Sequence, residues 1–378
     1  MIYLDYNATT PVDPRVLQEM LPYFSETFGN AASAHPFGLD AKKAVDIARE
    51  KIAAHLHCDA QEIIFTSGAT ESINLALKGV FESYAAKGNH IITVSTEHKA
   101  VLDTCKNLEN KGAEITYLSV STFGLIDLDE LKNAIKPSTI LIAVMYANNE
   151  TGVIQPIKEI GKIAKENNIL FFSDATQAVG KIDINIQENN IDLLCLSGHK
   201  IYAPKGIGAL YVRRKNPRVA LAEQINGGGH ERGWRSGTLN VPAIAGLGKA
   251  LDLYSEEQNR KIKSLRDKLE TGLLQIEGSF LNGDKAKRIF NTTNISFAGV
   301  HGKMLMTDLT KEIAVSSGSA CSAASVEPSH VLAAMNVTEE LNRSSIRFSL
   351  GRFTTEAEID FTIDFVKTTI EKIRNFSA

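Results

Sequence analysis

Two polar sets, each closing a short apolar run, carry the residues with the most chemistry in this sequence. Asp174-Ala175-Thr176-Gln177 follows Ile169-Leu170-Phe171-Phe172, and Ser197-Gly198-His199-Lys200 follows Ile191 to Leu196. Apolar runs of this length suit buried parallel strands, and in open parallel sheets ligands bind beyond the carboxyl ends of the strands. An acid and a lysine meeting there can serve one planar cofactor. The lysine would hold its aldehyde as a Schiff base, and the carboxylate would keep a pyridine nitrogen protonated so that the ring accepts electrons. The pairing of Lys200 with Asp174 suits pyridoxal phosphate. Taken singly, a strand-end lysine and a helix-capping aspartate are ordinary features, so the rest of the chain has to support the pairing.

Further candidates lie at other element ends. Glu62-Ile63-Ile64-Phe65-Thr66 reads as a strand, and Ser67-Gly68-Ala69-Thr70-Glu71-Ser72 turns from it into an apolar-periodic helix over Ile73 to Phe81. Free N–H groups, the positive end of the helix dipole and the hydroxyls of Ser67 and Thr70 make that turn an anion site. His98 sits after the strand His90 to Val94, where an imidazole can stack on a ring or shuttle protons. Cys321 lies in Glu312 to Ala324, a small-residue stretch with nothing large enough to bury a thiol, and the stretch is expected to be mobile. Cys105 and Cys195 are expected to be buried. Arg347 lies in the strand Ser345 to Ser349, and His55, His57 and Cys58 read as a solvated helix end rather than a metal site.

These residues need elements to hold them. The chain has 378 residues, a net charge of -3, 43% hydrophobic and 22% charged residues. That composition fits a globular enzyme of two domains and excludes disorder and a nucleic-acid footprint. No apolar run approaches the roughly 18 residues of a membrane span, and the start lacks a signal-peptide pattern, so a cytoplasmic protein is expected. Four scattered cysteines form no disulfide framework or zinc spacing. Residues 1–14 read as an extended arm before a helix over Arg15 to Phe24, and the polar loop Phe28 to Pro36, with Asn30 in it, precedes a helix over Gly38 to Leu56. Alternating strands and helices then run through Lys200, with Ile207 to Val212 as a closing strand. The expected fold is α/β, a mostly parallel sheet covered by helices. The loop Asn226 to Thr238 is glycine-rich and basic, Glu256 to Ile276 is an amphipathic hinge helix, and short strands and the helix Glu356 to Arg374 complete a smaller α+β domain.

The ordered motifs Leu4-Asp5-Tyr6-Asn7-Ala8-Thr9-Thr10, Thr66 to Ser72, Thr96-Glu97-His98-Lys99-Ala100-Val101, Asn148-Asn149-Glu150, Asp174 to Gln177, Ser197 to Lys200, Arg235-Ser236-Gly237-Thr238, Ser317-Gly318-Ser319-Ala320-Cys321 and Ser345 to Arg352 resemble those of the class V, fold-type I pyridoxal-phosphate enzymes. Within them the chain resembles the IscS/NifS-type cysteine desulfurases, over nearly its whole length. The resemblance implies a fold-type I transferase with an arm (1–14) packing on the small domain, a large cofactor-binding domain (15–256) and a small domain (257–378) carrying the Cys321 loop. It implies that Lys200 holds the cofactor, Asp174 its ring nitrogen and Gln177 its phenolic oxygen, with His98 stacked on the ring and Asn148 beside it. Ala69, Thr70, Ser197 and His199 would take the phosphate, joined by Thr238 of the other subunit of a homodimer. Arg347, helped by Asn30, would hold the carboxylate of L-cysteine, and Cys321 would attack its sulfur, releasing alanine and keeping a persulfide for an acceptor such as an iron–sulfur scaffold protein. No resident metal is implied; Cys321 would at most join a cluster on the scaffold transiently. The subgroup's tail beyond the last helix, which contributes to scaffold docking, is not matched after Phe376-Ser377-Ala378. Two rival readings, a selenocysteine lyase or aminotransferase on the same fold and a non-enzymatic sulfur-relay scaffold, are disfavoured by Cys321 and by the intact Lys200, Asp174 and His98 respectively.

Overall fold

The computed structural model describes residues 1–317 and 328–377, so Cys321 and most of its small-residue stretch lie outside the described residues. The described strands are β1 (Ile2–Tyr3), β2 (Ile63–Thr66), β3 (His90–Val94), β4 (Glu114–Leu118), β5 (Thr139–Ala143), β6 (Leu170–Asp174), β7 (Leu193–Ser197), β8 (Gly208–Val212), β9 (Ser279–Leu281), β10 (Thr292–Phe297), β11 (Ile313–Ala314) and β12 (Ser345–Ser349). Seven of them form one sheet in the order β2-β8-β7-β6-β5-β3-β4. All but the edge strand β4 are buried on both faces, and their side chains alternate between two cores. Phe171, Leu194, Leu196 and Tyr211 enter one, with the helices Pro36–Leu56 and Val241–Asp252; Phe172, Leu193, Cys195 and Leu210 enter the other, with Ala69–Ser83 and Lys99–Glu109. This is why the runs read as continuously apolar rather than alternating.

The sheet is mostly parallel, as expected, but β8 does not close an edge. It lies between β7 and β2 and runs antiparallel to both. A parallel return would need a crossover of a dozen or more residues, and only residues 198–207 separate β7 from β8. The helix expected over Arg15 to Phe24 is two pieces, Pro14–Met20 and Pro22–Ser25, because Pro22 has no N–H to continue the ladder.

Residues after Ser255 form a second core. The antiparallel sheet β12-β10-β9 packs against the helices Glu256–Leu273 and Glu356–Ser377 through Leu265, Leu269, Ile295, Phe297, Phe348 and Val366. The arm joins it: β1 pairs in parallel with β11, Leu4 is fully buried in this core, and the Tyr6 N–H donates to Ser349 O at 3.2 Å. The chain then crosses to the large sheet, where the Thr10 N–H donates to His199 O at 2.9 Å.

Candidate active site

Asp174 ends β6, Ser197 ends the adjacent β7, and a 3₁₀ turn, Gly198–Lys200, follows at once. Acid and lysine therefore leave neighbouring parallel strands at the same edge of the sheet. They line one cavity of about 590 Å³ together with Ala69, Thr70, His98, Gln177, Ser197, His199 and Arg347. The arm also contributes to its lining, through Asn7, Ala8 and Thr9.

Asp174 is prepared on one side only. Its Oδ1 accepts from the Thr176 N–H at 2.9 Å and from the Cys195 thiol at 3.3 Å, while among the described residues no donor engages Oδ2. Lys200 Nζ donates to Asn7 O at 2.6 Å and Ala8 O at 2.7 Å, so main-chain oxygens of the arm hold the ammonium at the cavity wall. His98 is the N-cap of the helix Lys99–Glu109, its Nδ1 accepting from the Ala100 N–H at 3.1 Å. Burial lowers its pKa despite the opposing pull of Asp174. A neutral ring whose Nδ1 accepts must carry its proton on Nε2. Behind it, Glu97 accepts from the Met145 N–H at 2.5 Å, and burial raises its pKa well above the carboxylate range.

At the end of β2 the helix begins at Ala69, earlier than the apolar period indicates, because its first turn is the polar Ala69-Thr70-Glu71-Ser72. Gly68 caps it at φ +152°, a conformation side-chain-bearing residues rarely adopt. Gly208 on β8 lets the turn come close, since a Cβ there would stand 2.7 Å from Gly68 Cα. Among the described residues no acceptor faces the amides of Ala69 and Thr70, and Ser197 and His199 share the cavity with them. His199 is held at about 4 by burial and by the charges of Lys200 and Lys205, and it lies 3.2 Å from Thr9 Oγ1. It can give a phosphate a neutral hydrogen bond.

Arg347 is 1% exposed, in the middle of β12, with Nη2 on Asp5 Oδ1 at 2.7 Å and Nη1 on Asn149 O at 3.0 Å; among the described residues its Nε has no partner. The side chain lines the cavity, where a substrate carboxylate could pair with the guanidinium.

Three expected site residues do not reach the cavity. Asn148 is spent on structure: Nδ2 donates to Thr96 O at 3.0 Å, and Oδ1 accepts from the Glu150 N–H at 2.9 Å and the Thr151 N–H at 3.0 Å. It ties together the loops after β3 and β5. Asn30 is exposed and bonds to the Ala32 N–H, and Thr238 is exposed. Cys321 lies outside the described residues. Residue-by-residue reading also missed Asp5, Asn7, Ala8 and Lys181, which pair with or brace the site; the ordered motif Leu4 to Thr10 is the only signal for the first three, and Lys181 has none.

An amine at Lys200, an open carboxylate oxygen at Asp174 and unmade amide bonds at a glycine-capped helix start fit an aldehyde, a pyridine nitrogen and a phosphate on one ligand. Residues 2–361 match the family model described as Aminotransferase class-V. The chain belongs to the class-V aminotransferase family of fold-type I pyridoxal-phosphate enzymes. Its relatives narrow the class. It is 56% identical over 382 residues to Cysteine desulfurase IscS of Actinobacillus succinogenes and 54% identical over 381 residues to that of Dechloromonas aromatica, covering 100% of this chain and 94% of each relative. Among solved structures it is similar to a NifS-like protein, with a TM-score of 0.91, 38% identity and coverage of 98% of this chain and 99% of the other. It is also similar to SspA in complex with cysteine, with a TM-score of 0.84, 39% identity and coverage of 94% and 100%.

Proposed function

We propose that this protein is a pyridoxal-phosphate-dependent cysteine desulfurase that converts L-cysteine to L-alanine and leaves the sulfur as a persulfide on Cys321. The observation that carries the reading is the arrival of Lys200 and Asp174 in one cavity, in a chain 56% identical over its full length to a cysteine desulfurase. When bound, pyridoxal phosphate supplies an electron sink for the charge left on the substrate's α-carbon. Lys200 would hold the cofactor and move the α-proton, Asp174 would keep the ring nitrogen protonated through Oδ2, and His98 would stack on the ring. Gln177 donates to the phenolic oxygen. The first-turn amides of Ala69 and Thr70 and the side chains of Thr70, Ser197 and His199 hold the phosphate. Arg347 orients the substrate carboxylate; we assign Asn30 to the same task once partners are assembled.

The thiolate of Cys321 attacks the substrate sulfur. One S–S bond forms and the C–S bond breaks, its electron pair remaining on the carbon skeleton, which takes up a proton to become alanine. The persulfide sulfur then passes to an acceptor thiol, and we assign the acceptor to iron–sulfur cluster assembly.

We further propose a homodimer in which Thr238 reaches the partner's phosphate. Support comes from the exposure of Thr238 and of the large apolar side chains Phe24, Phe28, Phe37 and Leu39, at 61%, 63%, 56% and 53%. We take 15–256 and 257–378 as the two domains, on the strength of their separate cores. No described helix is long and apolar enough to cross a membrane, and a cytoplasmic location agrees with the reduced thiols this chemistry requires.

The test is direct. The purified protein should be yellow, borohydride should fix the cofactor on Lys200, and L-cysteine should give equal alanine and Cys321 persulfide in a single turnover. A colourless protein that pyridoxal phosphate does not reconstitute, or a label on another lysine, overturns the assignment.

A further inference from the structure

A second lysine stands behind the cavity wall, and the chemistry above does not use it. Lys181 Nζ lies 2.8 Å from Gln177 Oε1 and 3.4 Å from Asn7 Oδ1. An ammonium only donates, so it fixes which end of the Gln177 amide it meets: the oxygen faces Lys181 and the nitrogen faces away. One hydrogen of that nitrogen goes to Asn7 O at 3.0 Å. Gln177 is 3% exposed and lines the cavity, so its second hydrogen has the cavity as its outlet. Asn7 joins the two lysines, its main-chain oxygen on Lys200 and its side-chain oxygen on Lys181.

The surroundings leave this cation uncompensated. Among the described residues no carboxylate forms an ion pair with Lys181, and its charged neighbours are Lys200 and Arg347. Burial and these like charges bring its pKa down to about 7. An anion in the cavity, one amide away, would stabilise the ammonium form of this recessed lysine. Lys181 and Lys200 also both line a second cavity of about 30 Å³, the space of a single water, through which protons can exchange.

We infer that Lys181 is a positioning residue for the cofactor's phenolic oxygen: it orients Gln177 as a donor and sets a positive charge behind it, favouring the phenolate and loosening the proton on the Lys200 nitrogen. The inference rests on the cofactor site proposed above. The other charged or titratable groups lining the cavity are Glu71, His98, Lys99, Glu150, Asp174, His199, Lys205, His330 and Arg347, all retained in the variants below.

The experiment is a pH titration of the visible absorption of the holoenzyme, with cofactor affinity measured on the apoprotein, for the unsubstituted chain, Lys181→Met and Lys181→Arg. Removing a positive charge makes a nearby proton harder to lose. Lys181→Met should therefore raise the midpoint by about one pH unit and weaken cofactor binding about tenfold, and Lys181→Arg should return the midpoint to within a few tenths of a unit. Far-UV circular dichroism of the apoproteins checks folding, and Lys181→Gln replaces the methionine variant if that one does not fold. An unmoved midpoint in the neutral variant, or an equal shift in Lys181→Arg, overturns the inference while leaving the site intact. A cofactor trapped on a lysine other than Lys200 in the unsubstituted chain overturns the site, and this inference with it.

Discussion

Thiol reactivity follows the thiolate, and burial pushes Cys58 and Cys105 up to about 12 and Cys195 well above the usual thiol range. None of the three is a nucleophile near neutral pH. Cys321→Ala should accordingly bind the cofactor with unchanged affinity and change spectrum on addition of L-cysteine, yet form no persulfide and less than about a hundredth of the alanine. Replacing Cys58 and Cys105 together should leave turnover within about twofold. Quantification of alanine and of protein-bound sulfur checks both, and normal alanine yield from Cys321→Ala would falsify the nucleophile assignment. His199 gives a pH prediction for the apoprotein. Its folded pKa of about 4 lies below the usual 6.5, so the unfolded chain binds the extra proton first. Stability should fall as the pH drops from about 6.5 towards 4, and His199→Asn should remove part of that slope. Denaturant midpoints at pH 7, 5.5 and 4 measure it. The types of Lys200, Asp174 and His98 could be read without coordinates because each stands where an apolar run ends. Asn148 could not be placed, because its motif says nothing of which way its amide turns.

At the scale of elements, the phosphate turn and the glycine-rich loop are held together by charge. Arg235 Nε donates to Glu71 Oε1 at 2.8 Å, and the Ser67 N–H donates to Glu71 Oε2 at 2.8 Å. A deeper pair anchors the same loop. Arg49 Nη2 meets Glu231 Oε1 at 2.7 Å, and Glu231 also accepts from the Phe65 N–H at 2.7 Å. Glu231 and Ser236 are buried, so the glycine-rich loop is pinned at two points. Arg49→Ala leaves a buried carboxylate without its partner and should cost about 3–5 kcal/mol in urea unfolding at fixed protein concentration. It should also weaken cofactor binding, since the β2 edge and the loop lose their common anchor. A cost below about 1 kcal/mol would show that water replaces the guanidinium. The anchor was invisible beforehand, as Arg49 and Glu231 are 182 residues apart and each looks like an ordinary surface charge.

For the whole molecule, the open question is assembly. If Thr238 completes a neighbour's phosphate site, dilution below the dimer dissociation constant should lower cofactor affinity, and Thr238→Val should weaken binding several-fold at any concentration without changing the sedimentation coefficient. A monomer with undiminished affinity would show that Thr238 serves no partner. The arm is the other device at this scale. It pairs with β11 and reaches the large sheet at His199, while Asp5 meets Arg347 and Asn7 meets both lysines. By itself the sequence determined that there is a buried sheet with chemistry at its strand ends, because strand burial is a local pattern of apolar residues and a strand's end is marked by its first polar one. It also determined the reacting groups, because amine, carboxylate and thiol are properties of residue type. Only the tertiary structure decided that β8 runs backwards between β7 and β2, that the arm lines the cavity, and that Lys181 stands behind Gln177. Those outcomes depend on the length of connections and on contacts between residues far apart in the chain, and no local pattern encodes either.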